Sequence, residues 1–168
     1  MVDNIERIKI NTVVNGEKVE AFVEPRLSLV DFLRNELELT GSHVGCEHGV
    51  CGACSIKVDG NVVRGCLMLA SQADGSDILS IEGASDSGRI ADLQKAFHER
   101  NALQCGFCTP GMLLTSSELL DHNKTPTRTE IREYLSGNYC RCTGYEAIID
   151  AVETVSNDRA GSGRNGKS

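Results

Sequence analysis

The sequence predicts an α+β protein built as two units in tandem, a small α+β unit followed by an all-α one. Three observations carry that expectation. Strand-like alternation and two hairpin turn signals are confined to the first half of the chain. Helical periodicity with repeated capping signals fills the second half. The eight cysteines divide evenly, with Cys46, Cys51, Cys54 and Cys66 in the first half and Cys105, Cys108, Cys140 and Cys142 in the second.

The elements follow in order. "RIKINTVV" (7–14) alternates as a strand, with Ile8 and Ile10 on one face, and Asn15-Gly16 is a hairpin turn. "KVEAFV" (18–23) returns, with Val19, Ala21 and Val23 on one side. Ser28 and Asp31 form a capping signal for a helix whose apolar positions are Leu29, Phe32, Leu33 and Leu37. A second hairpin covers 55–63 and turns on Asp59-Gly60, and Ile78, Leu79 and Ile81 suggest a last short strand. The first unit is expected to span 1–82, and the small, polar "GASDSG" (83–88) to be a linker. Four helices are expected over 89–156. The first carries Ile90, Leu93, Ala96 and Phe97, and the second starts at Thr109-Pro110 and carries Met112, Leu113, Leu119 and Leu120. The third is boxed by Thr127 and Glu130 and stops at Gly137; the fourth is capped by Thr143 with Glu146. The remaining "NDRAGSGRNGKS" (157–168) reads as a disordered tail.

Composition narrows the function classes. The 168 residues carry a formal net charge of −7 and no Lys/Arg cluster, so no nucleic-acid surface is expected. No apolar run approaches the ~20 residues of a membrane-spanning helix. The charged N-terminus lacks the apolar stretch of a secretory signal, which points to the cytoplasm. That compartment keeps thiols reduced, which argues against a disulfide framework. Units this small draw only ~3–5 kcal/mol from an apolar core, so one metal staple per unit is the economical reading of four cysteines in each.

The spacing then selects the metal. "GCEHGVCGAC" (45–54) gives Cys46-x4-Cys51-x2-Cys54, and Cys66 follows eleven residues later. This is the spacing of plant-type 2Fe–2S ferredoxins. Two ferric ions, two sulfides and four thiolates sum to a dianion, and one electron makes it a trianion. Burying that charge needs N–H dipoles aimed at sulfur. Gly45, Gly49 and Gly52 let the backbone come close enough to supply them. In the second set, "QCGFCTPG" and "YCRCTGY" each stand just before a helix start, so two helix N-termini would face one anionic centre. Zinc and redox-active thiols remain the alternatives, although a C-x4-C-x2-C loop and a C-x-C pair are poor zinc-ribbon spacings. Cys46-Glu47-His48 reads as C-x-H but lacks the partner a Rieske centre needs, so His48 is a loop residue beside the centre. His98 and His122 read as surface histidines. "GSGRNG" matches GxGxxG without a strand before it or a helix after it, and is no dinucleotide site.

"GCEHGVCGACSIKVDG", "LQCGFCTPGML" and "GNYCRCTGY" together resemble the iron–sulfur subunit of the molybdenum hydroxylases, the xanthine oxidase family, from about residue 5 to 156. The resemblance implies a ferredoxin-like (β-grasp) N-terminal domain and a four-helix domain, each holding one 2Fe–2S cluster. It implies a large partner carrying molybdopterin, as the cytosine dinucleotide, and a medium partner carrying FAD, in a dimer of heterotrimers. Electrons would pass from molybdopterin through the helical-domain cluster and then the ferredoxin-like cluster to FAD. Gln104 and Cys142 match the positions that approach the pterin, and the cysteine loop leans toward the N-heteroaromatic hydroxylases. A small subunit of a carbon monoxide or aldehyde dehydrogenase, or a free-standing electron carrier, is the alternative. The residues agree with a carrier's role: two one-electron centres, and no nucleophile–base set or nucleotide loop.

Overall fold

The computed structural model describes residues 6–162. Strands β1 (Ile8–Val14) and β2 (Glu17–Val23) form the first hairpin, and β3 (Ser55–Val58) and β4 (Asn61–Arg64) the second. Strand β5 (Asp77–Leu79) lies between them, parallel to β1 and antiparallel to β3, giving the sheet order β2-β1-β5-β3-β4. Both two-residue turns need left-handed backbone, and Asn15-Gly16 and Asp59-Gly60 supply it with positive φ at all four positions.

Helix α1 begins at Leu29–Asp31 and continues as a wider turn over Phe32–Glu36, in which the Leu37 N–H donates to the Phe32 carbonyl. Ser28 caps it by accepting from the Asp31 N–H. Leu29, Phe32 and Leu33 are fully buried and pack with Ile10, Val14, Val23, Ile56, Val58 and Ile78 to form the first core. Ile8, at the first position of β1, is exposed instead of joining its neighbour Ile10.

The second core begins at Ile81 and is separate. It is built by α2 (Ile81–Asp86), α3 (Ala91–Glu99), α4 (Thr109–His122), α5 (Arg128–Tyr134) and α6 (Glu146–Ser162). Helix α2 corrects the expected linker at 83–88. Its small residues are close-packed rather than flexible: Ala84 is fully buried, and a Cβ on Gly83 would lie 2.3 Å from Asn15 Oδ1. The reading of 157–168 as a disordered tail is corrected as far as residue 162. Helix α6 continues through Asn157, and Arg159 makes a two-point ion pair with Asp92 of α3, at 2.7 and 2.9 Å. Residues 163–168, with most of "GSGRNG", lie outside the described residues.

Helix α4 is buried from Gly111 to Leu120 because it has neighbours on both sides. Its apolar face joins the helical core, and its polar face packs against β3 and β4. Strand β3 is therefore buried on both faces, Ile56 and Val58 toward α1, Ser55 and Lys57 toward α4. The two units share this polar seam, and the cysteine loops meet at its end.

Candidate metal centres

The loop from Gly45 to Cys54 leaves α1 and enters β3. Glu47, Gly49 and Gly52 adopt positive φ, which turns successive backbone N–H groups inward. The Cys51 N–H points at Cys46 Sγ at 3.4 Å. Donation from the Cys51 backbone, then from His48, pulls the Cys46 thiol down to about 6. A Cβ on Gly45 would crowd Cys51 Sγ at 3.2 Å. Gly49 would strike Leu67 at 2.3 Å, so its hydrogen is what lets the segment carrying Cys66 fold over the loop. Gly52 serves a different contact from the one its loop position suggests. Its Cβ would meet the Gly137 carbonyl at 2.6 Å and Asn138 Nδ2 at 2.7 Å, both in the helical unit.

In the second centre Cys108 itself is the N-cap of α4, with Thr109 and Pro110 inside the helix, one residue earlier than the sequence suggests. Thr143 does not cap α6, which starts at Glu146. Its hydroxyl donates instead to Cys140 Sγ at 3.2 Å and accepts from the Tyr145 N–H at 3.2 Å. Burial pushes the Cys140 thiol up, but the Thr143 hydroxyl and nearby backbone donors outweigh it and hold the thiol low. Gln104 Nε2 donates to the Cys142 carbonyl at 3.1 Å, so the two residues expected near a pterin are neighbours on the surface. Cys105 beside them is exposed.

All eight cysteines are free, and they lie four to each loop system. Cys46 interacts with Cys51, Cys54 with both Cys66 and Cys51, and Cys108 with both Cys140 and Cys105. Cys105 Sγ and Cys142 Sγ are 3.5 Å apart. Among the described residues no three Cys, His, Asp or Glu side chains converge as a site for one metal ion. Four neighbouring thiols that do not converge on one point suit a binuclear centre, whereas zinc draws four ligands around one point at ~2.3 Å. Burial raises Cys54 to about 11 and Cys108 to about 12, so holding thiolates there calls for adjacent positive charge, which a metal supplies. The Thr109 hydroxyl, next to Cys108, is buried with no hydrogen-bond partner. Such a group needs an acceptor, and a cluster sulfur would be one. The donor set fits a 2Fe–2S cluster in each loop system.

Several residues at the site carry no local sequence signal. His43 stacks on Phe107 with ring centroids 4.7 Å apart and bonds through Nδ1 to the Phe107 carbonyl at 2.8 Å, tying the two loop systems together. Asn138, which reads only as a residue after a helix stop, is buried where three segments meet. His48 bonds back to the Cys46 carbonyl, and His98 and His122 are exposed, as expected of loop and surface histidines.

Known proteins match this architecture over nearly its whole length. The description "2Fe-2S iron-sulfur cluster binding domain" matches residues 12–80, and "[2Fe-2S] binding domain" matches residues 80–153. The chain is 54% identical over 150 residues to the caffeine dehydrogenase subunit gamma of Pseudomonas sp. (strain CBB1), covering 88% of this chain and 90% of that one. It is 52% identical over 147 residues to the nicotine 6-hydroxylase small subunit of Paenarthrobacter nicotinovorans, covering 88% of each. The crystal structure of quinoline 2-oxidoreductase from Pseudomonas putida 86 superposes with a TM-score of 0.87 at 47% identity, covering 97% of this chain and 99% of that one. Two cysteine loop systems in the expected order, on the expected two units, place the chain in the family of small 2Fe–2S subunits of the molybdenum hydroxylases.

Proposed function

We propose that this chain is the electron-transfer subunit of a molybdenum hydroxylase that acts on an N-heteroaromatic substrate. Cys46, Cys51, Cys54 and Cys66 would hold the first cluster. Cys105, Cys108, Cys140 and Cys142 would hold the second. When bound, each cluster supplies a one-electron site. Electrons from molybdopterin cytosine dinucleotide in a large partner enter beside Gln104 and Cys142 and leave beside the first loop to FAD in a medium partner. The complex is a cytoplasmic dimer of heterotrimers. The names of the relatives, which speak of caffeine, nicotine and quinoline, support the substrate class.

The carrying observation is the gathering of four interacting thiols in each loop system, which supports a two-cluster carrier. Exposed apolar side chains flank both loop systems, with Leu103, Phe107 and Tyr139 beside the second and Val50, Leu67 and Leu69 beside the first, in keeping with two docking partners.

The test is anaerobic purification from the native host, with metal and flavin analysis. The proposal requires about four irons per chain, with molybdenum and FAD at one equivalent each. A monomer with iron alone would favour a free-standing carrier, and zinc in place of iron would refute both. Cys105→Ser or Cys140→Ser should stop substrate electrons from reaching the flavin or prevent assembly. Normal turnover with a flavin-side acceptor would overturn the path.

A further inference from the structure

The two cysteine loops belong to different units, yet they touch at one point. Asn138 is 1% exposed there. Its Nδ2 donates to the Gly52 carbonyl of the first loop at 3.2 Å, and its Oδ1 accepts from the Thr115 hydroxyl of α4 at 3.2 Å. The residues on either side are pinned too. The Tyr139 N–H donates to the Cys51 carbonyl at 2.8 Å, and the Gly137 carbonyl accepts from Arg64 Nη2 at 2.6 Å. Three consecutive residues are thus fastened to the first unit, immediately before Cys140 and immediately beside Cys51.

The contact has no slack in either direction. It cannot close further, because even a Cβ on Gly111 would lie 2.3 Å from the Gly52 carbonyl, and one on Gly52 would lie 2.6 Å from the Gly137 carbonyl. It resists opening, because that would strand the buried Asn138 amide and take the Cys51 and Gly137 carbonyls from their donors. An amide is the side chain suited to this place. It donates to one unit and accepts from the other, which neither a carboxylate nor an isosteric aliphatic group does.

We propose that Asn138 is a positioning residue that fixes the separation of the two cluster loops, and with it the distance an electron crosses between the clusters. The inference rests on the two-cluster reading above. It assigns a role to a side chain that ligates nothing.

The test uses the assembled complex carrying Asn138→Asp, which removes the donor toward Gly52, and separately Gly111→Ala, which wedges the loops apart. Iron content and the spectrum of each cluster by electron paramagnetic resonance report whether the clusters themselves are intact. The magnetic splitting seen when both clusters are reduced reports their separation. With iron and both individual spectra retained, the splitting should shrink or vanish in each variant, and electron exchange between the clusters should slow. Iron and splitting both unchanged in Gly111→Ala, or in a folded Asn138→Asp, would overturn the assignment. Should Asn138→Asp lose iron, Gly111→Ala decides by the same criteria, with loss of iron there also counting against a role confined to positioning. A wild-type complex lacking two iron–sulfur spectra would sink the proposed function instead, so the two failures are distinguishable.

Discussion

Removing one hydroxyl should retune one of the two clusters. Thr143 donates to Cys140 Sγ at 3.2 Å, and valine keeps its shape while deleting the donor. A hydrogen bond to a charged acceptor is worth ~1.5–3 kcal/mol. Only the part that strengthens when the cluster gains its electron moves the potential. Taking a third to a half of the bond gives about 0.5–1.5 kcal/mol, and ~1.4 kcal/mol corresponds to ~59 mV for one electron. Because the bond stabilises the reduced, more negative state, its loss lowers the potential. Thr143→Val should therefore shift the second cluster by roughly 20–60 mV in the negative direction. The assay is a potentiometric titration of the complex followed by electron paramagnetic resonance, with the first cluster as internal reference. Valine also strands the Tyr145 N–H, which Thr143 accepts at 3.2 Å, so Thr143→Ser, which keeps both bonds, should restore the wild-type value. A Thr143→Val potential indistinguishable from wild type, or a serine variant shifted as far as valine, would refute the reasoning.

Three further outcomes follow from the packing. Arg159 holds the Asp92 carboxyl below its ordinary range, so the pair's contribution is complete above the unfolded value near ~3.9 and is lost as pH falls through the folded one. Asp92→Ala should cost about 0.5–1 kcal/mol at neutral pH, or ~1–4 °C in Tm, with the variant and wild-type melting curves converging in acid; equal Tm at pH ~7 would refute it. Lys57 is buried, with its Nζ 3.1 Å from Asp121 and 3.5 Å from Ser117 Oγ. Asp121→Ala strands that ammonium and should cost about 1–3 kcal/mol, less than for a fully buried pair because the carboxylate is half exposed. Lys57→Met combined with Asp121→Ala should recover most of the loss, a coupling that chemical denaturation of the four forms measures. Chelation of the iron should lower Tm and bleach the visible absorbance together, since each unit relies on its metal for part of its stability; an apo-protein melting with the holo-protein would contradict this.

The sequence spoke clearly where the determining chemistry is local. Asn15-Gly16 and Asp59-Gly60 marked both hairpins because few other residue pairs tolerate their backbone, and the Thr127–Glu130 box forms as the pattern requires. The cysteine spacings pointed to binuclear centres because a short loop limits which sulfurs can meet. What stayed hidden depends on distant partners. Gly83 and Ala84 have the composition of a linker, and only Asn15, across the unit boundary, and the helical core make their smallness a packing requirement. Thr143 has the spacing of an N-cap, but the sulfur of Cys140 competes for its hydroxyl. Asn157 to Ser162 looks too polar to fold until Asp92 answers Arg159. Periodicity reveals which side chains are polar, and it cannot say whether water or another unit will meet them.

That ambiguity is sharpest along the seam between the units. Ser55 and Lys57 alternate with Ile56 and Val58 as the wet face of an edge hairpin would, yet all four are buried. Glu118 accepts from the Val62 N–H of β4 and from the Tyr134 hydroxyl, Arg64 reaches the Gly137 carbonyl, and Lys57 reaches Asp121. An apolar seam of the same area would be at least as stable, because buried polar groups recover little net energy after desolvation. It would also permit sliding, since dispersion contacts are nondirectional. Hydrogen bonds weaken steeply with angle and distance, so a seam made of them admits one register. For two enzymatic domains that distinction has little consequence. For two electron sites it matters, because exchange between them depends on a gap that one unit cannot set alone. The polar seam fits the proposed carrier, in which relative position is the functional quantity.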